Sequence, residues 1–66
     1  MKTAIINKLE KIQASLEAKI AQKEEIFETR SETWQESERG ENYMFIIDGL
    51  RTALDSVNDA IDTLTQ

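Results

Sequence analysis

Apolar positions in the first half of the chain run Ile5, Leu9, Ile12, Leu16, Ile20, Phe27, Trp34, in steps of 4, 3, 4, 4, 7 and 7. Steps of three and four keep side chains on one face of an α-helix. Filling the gaps with Lys23 and Ser31 gives an eleven-residue repeat, which predicts a nearly straight stripe. Thr3 has the chemistry of an N-cap. The second half is a cleaner heptad: Tyr43, Ile47, Leu50, Leu54, Val57, Ile61, Leu64. Gly40 reads as the glycine that ends a first helix, and Asn42 as the cap that starts a second. The pattern therefore predicts helices over about 3–39 and 42–65. A short connection makes them antiparallel neighbours.

Two segments depart from this regularity. Between Thr29 and Ser37, hydroxyl side chains compete with the helix by bonding back to the main chain. Thr33 with Glu36 fits a capping box that would start a new short helix at Trp34, with a kink before it. Glu24, Glu28, Glu32 and Glu36 step by four and repel along one ridge. At the start of the second helix, Tyr43, Met44, Phe45, Ile46 and Ile47 form an unbroken apolar run. No single helix face holds all of them, so this end calls for contacts on two sides.

Folding the chain at Gly40 sets Trp34 near Ile46 and Ile47, Phe27 near Leu54, Ile20 near Ile61 and Leu16 near Leu64. Ile5, Ile6, Leu9 and Ile12 are then left without a partner in the chain. With Leu16 they form a candidate oligomer interface. The expected fold is all-α: a single-domain helical hairpin over 1–66, paired as a homo-dimer or tetramer into a four-helix bundle. A chain of 66 residues has a small core and commonly needs a staple. Without Cys there is no disulfide, so assembly is the staple that remains.

Composition narrows the chemistry. There is no His, Cys or Pro. The commonest general base, the commonest metal ligand and any thiolate site are therefore missing. No Gly-rich phosphate loop is present, and the carboxylates fall on polar faces without the His that di-iron bundles use. The expectation is a protein that is not an enzyme and holds no metal or cofactor. Charged residues interrupt every apolar stretch, and the first residues lack the pattern of a secretory signal. A cytoplasmic protein is the simplest reading.

Residues 1–23 carry five Lys and two Glu, and the remainder carries three Arg and eleven acids, for a net charge of −5. An antiparallel fold would bring the basic start near Asp55, Asp59 and Asp62. Net negative charge disfavours nucleic acid. Trp34, Tyr43, Met44 and Phe45 are candidate partner-binding residues, because aromatic side chains anchor interfaces. Arg39 and Arg51 flank the apolar run and are candidate anion-binding residues, able to grip a nucleotide-like molecule between subunits.

Residues 28–43 contain Arg30, Ser31, Trp34, Gln35, Ser37, Glu38 and Gly40 in the order Arg-Ser-x-x-Trp-Gln-x-Ser-Glu-x-Gly. This run resembles a segment of small acidic helical proteins encoded by bacteriophages and prophages, where it precedes a second amphipathic helix. The resemblance implies a small phage protein that binds and blocks a host factor, as a counter-defence inhibitor or adaptor. Two other functions fit the residues: an oligomeric sponge for a nucleotide-like molecule, and a structural component of an assembly.

Overall fold

The computed structural model describes residues 2–66; Met1, the first residue of the expected domain, lies outside them. Helix α1 spans Lys2–Thr29, a short helix α2 spans Glu32–Glu36, and α3 spans Glu38–Thr65. The two long helices pack antiparallel as a hairpin, with α2 folded against α3 at the tip. No helix among the described residues is long and apolar enough to cross a membrane.

The expected boundaries, 3–39 and 42–65, are not those observed. Thr3 lies inside α1 rather than capping it. The first helix ends ten residues early, at Thr29, where side chains of Thr29 and of α2 satisfy its last carbonyls. Thr29 Oγ1 donates to the Ile26 carbonyl at 2.9 Å. The Gln35 amide donates to the Phe27 carbonyl at 2.8 Å and to the Arg30 carbonyl at 3.2 Å. Ser31, with extended backbone, then caps α2 by accepting from the Trp34 N–H at 3.2 Å. The short helix thus starts before Trp34 and is capped by Ser31, not by Thr33.

Ser37 does the work expected of Asn42. Its hydroxyl accepts from the Gly40 N–H at 3.3 Å and opens α3, while also donating to the Trp34 carbonyl. Gly40 is not a left-handed cap, for no glycine among the described residues has positive φ. It sits buried in the first turn of α3. A Cβ there would fall inside 3.0 Å of the Trp34 and Gln35 carbonyl oxygens. Glycine is required for close approach of α3 to the α2 backbone, not for a turn.

Moving the turn from Gly40 to residues 30–37 changes the register. Phe27 meets Tyr43, not Leu54, and Gln13 meets Asn58 at 2.7 Å. Both long helices contain 28 residues. The expected overhang of α1 therefore does not exist: Ile6 and Leu9 are half-buried, level with the last turns of α3.

The hairpin is still poorly closed. Its Cα extents are 49 × 14 × 13 Å. The radius of gyration is 15.1 Å, against about 11 Å for a compact chain of this length. Only Ile20 and Ile47 are buried apolar side chains among the described residues, and of the two only Ile47 is fully covered. Leu16, Leu50, Leu54, Val57, Ile61 and Leu64 are half-buried, as expected when two helices cover each other from one side only.

Candidate interaction surface

The hairpin has two flanks of different chemistry, one on each side of the α1–α3 seam. The first is marked by the polar crossings Gln13–Asn58 and Glu24–Arg51, the latter the one ion pair among the described residues. Residues three or four positions away share a helix face. In α1, Glu10 and Glu17 stand in that relation to Gln13, and Glu28 to Glu24. In α3, Asp48 and Asp55 stand so to Arg51, and Asp62 to Asn58. This flank is acidic along its whole length.

The second flank is marked by Lys23, whose Nζ lies 5.1 Å from the Tyr43 ring centroid. Beside it on α1 are Ile5, Ile12, Lys19 and Ile26, every seven residues. Beside it on α3 are Ile46, Ala53 and Ala60, also every seven. Ile5, Ile12, Ile26 and Ile46 are 41–51% exposed. Neither long helix places a carboxylate here. The charge asymmetry read along the sequence is thus an asymmetry across the hairpin. Among the described residues no ion pair joins the basic start of α1 to Asp55, Asp59 or Asp62.

At the tip, Phe27, Trp34 and Tyr43 make a three-ring cluster with centroids 5.6–6.4 Å apart. Arg30 covers the Trp34 ring at 4.4 Å. Trp34 and Tyr43 are therefore half-buried parts of the fold, engaged with each other. Phe45 is different. It is 74% exposed and borders a shallow groove of about 370 Å³ with Met44, Gln35, Glu41 and Asp48. The broad apolar run of α3 is thus split: Tyr43 and Ile47 face the hairpin, Ile46 faces the carboxylate-free flank, and Phe45 faces outward near the acidic one.

The two candidate anion ligands do not converge. Arg39 and Arg51 are roughly 18 Å apart along α3. Arg51 reaches Glu24 across the acidic flank, whereas Arg39 lies exposed in the first turn of α3. Of the five candidate interface residues, Ile5 and Ile12 lie on the open flank. Ile6, Leu9 and Leu16 are half-buried in the seam. Ile46 belongs to the apolar run expected to need contacts on two sides, whereas Ile26, Ala53 and Ala60 were not among the expected interface residues; their seven-residue spacing from Ile5 and Ile46 was the available signal. No family model, curated protein or solved structure matches this chain.

Proposed function

We propose that this chain is a non-enzymatic protein-interaction module, of the phage-encoded kind its central motif resembles, that binds a basic surface of a host protein and occludes it. The observation that carries this reading is Phe45. A phenylalanine exposed at 74% beside Met44, rimmed by Glu41 and Asp48, has the make-up of an interface anchor. It adjoins a flank lined with carboxylates from both long helices. Such a surface favours a partner with an apolar pocket surrounded by Lys and Arg, and its field would speed encounter with that partner.

The test is capture from a bacterial lysate with three baits: wild type, Phe45→Ala and Asp48→Lys. Proteins retained by wild type, absent from both variants, and eluted by moderate salt support the reading. Identical retention by all three baits would remove Phe45 and the acidic flank from the account.

A further inference from the structure

We propose that the carboxylate-free flank is covered by a second copy of this chain, with α1 of each copy lying against α3 of the other. The area is the first argument. A compact protein of 7.6 kDa exposes about 4,300 Å², and this chain exposes 5031 Å². The excess, about 700 Å², is close to the ~800 Å² that each partner buries in a stable interface. Two packed helices form one layer, and a domain needs a second.

Shape identifies the occupant as a second copy. The flank has a bulky strip on α1 (Ile5, Ile12, Lys19, Ile26) and a smaller one on α3 (Ile46, Ala53, Ala60). The Gln13–Asn58 register sets Ile12 level with Ala60, Lys19 with Ala53 and Ile26 with Ile46. A two-fold axis along the rod exchanges the strips without changing level. Ile12 then meets Ala60 of the second copy, large against small, as packed helices require. The Lys19 stem lies over Ala53 of the second copy and its ammonium reaches the rim. The other two-fold arrangement, α1 on α1, would set bulky side chains and lysines against their own kind. A lipid surface would be gripped by large apolar side chains along the whole flank, and beyond Ile46 the α3 strip offers only alanines.

Charge agrees with this choice. Each copy carries −5, and this is the flank of the long helices on which no carboxylates would meet. Pairing there turns both acidic flanks outward.

The experiment joins mass with geometry. Sedimentation equilibrium over a concentration series is expected to give twice the 7.6 kDa chain mass for wild type. Ala53→Arg is exposed in the single hairpin and is expected to raise the dissociation constant at least about 30-fold. The chain has no thiols of its own, so a Ser15→Cys/Ser56→Cys double variant reads the arrangement without disrupting it. Both serines are exposed, and helical spacing sets Ser15 beside Ile12 and Lys19 and Ser56 beside Ala53 and Ala60, each at the edge of its own strip. They are brought together only between copies, so oxidation is expected to yield a covalent dimer. A monomeric wild type, or binding of anionic vesicles in place of dimerisation, overturns the proposal. A dimer that fails to cross-link overturns the α1-on-α3 arrangement.

Discussion

Gln13 donates its side-chain amide to Asn58 Oδ1 at 2.7 Å, across the seam between α1 and α3. This part-buried bond joins residues 45 apart in sequence and fixes which turn of one helix faces which turn of the other. It lies near the middle of α1, about 20 Å from the aromatic tip, so the register is held at two separate places.

Asn58→Ala is expected to cost about 1–2 kcal/mol, because it leaves a part-buried Gln13 amide without its acceptor. A Gln13→Leu/Asn58→Leu pair is expected to be near neutral in stability, since neither partner is left unsatisfied. Urea unfolding of the three proteins measures both values. Equal destabilisation by the single and double changes would show that the bond is not what matters there.

The two glycines are expected to respond to alanine with opposite signs. At Gly40 the new methyl meets two α2 carbonyl oxygens, which are backbone and cannot swing away. Loss of about 1–3 kcal/mol is expected, in line with other overpacked sites. At Gly49 nothing lies within 4 Å of the new methyl, and helix propensity favours alanine by roughly 0.5–1 kcal/mol. Thermal melts followed by circular dichroism check both signs.

Ser37→Ala removes the hydroxyl that opens α3 and is expected to cost about 1 kcal/mol. Ser37→Asp should recover only part of this, because a carboxylate also accepts from the first-turn N–H groups and complements the helix dipole but cannot donate to the Trp34 carbonyl as the hydroxyl does. Hydrogen exchange at Gly40 and Glu41 would report the loss directly. Unchanged exchange in Ser37→Ala would mean that the cap is redundant.

Phe27→Ala is expected to cost about 2–3 kcal/mol, less than a fully buried phenylalanine, since Phe27 is only half-buried. Trp34 is the only tryptophan and lies 5.9 Å from Phe27, centroid to centroid. Its emission should shift to the red in this variant before global unfolding. A change in stability with no change in Trp34 emission would place the damage in the seam rather than at the tip.

Arg51→Leu is expected to change stability by less than about 1 kcal/mol, because its pair with Glu24 is 50% and 39% exposed and screened by solvent and salt. Denaturation at low and high salt gives the comparison. A large loss would mean that Arg51 does more than pair with Glu24.

Much of the fold was legible in the residues. Side chains from Ile5 to Ile20, and from Ile47 to Leu64, repeat at helical spacing, and one break between them leaves an antiparallel hairpin as the simplest way to cover both stripes. Absence of His and Cys is also a property of sequence alone. The position of the turn was not legible. Gly40 carries the usual signature of a helix end, and only the fold shows Gln35 bonding back to the Phe27 and Arg30 carbonyls, which stops α1 early. That bond spans eight residues and depends on α2 folding over, so local propensity does not encode it visibly. The same shift decided the candidate surface. Trp34 and Tyr43 suggested a partner-binding tip, whereas the structure spends them on a ring cluster with Phe27, and spends Ser31, Ser37 and Gly40 on caps and a close approach. Phe45 was within reach of sequence reasoning, but its exposure was not. The two flanks follow from helical spacing once the register is known, and register is a tertiary property, set by which side chains meet across the seam.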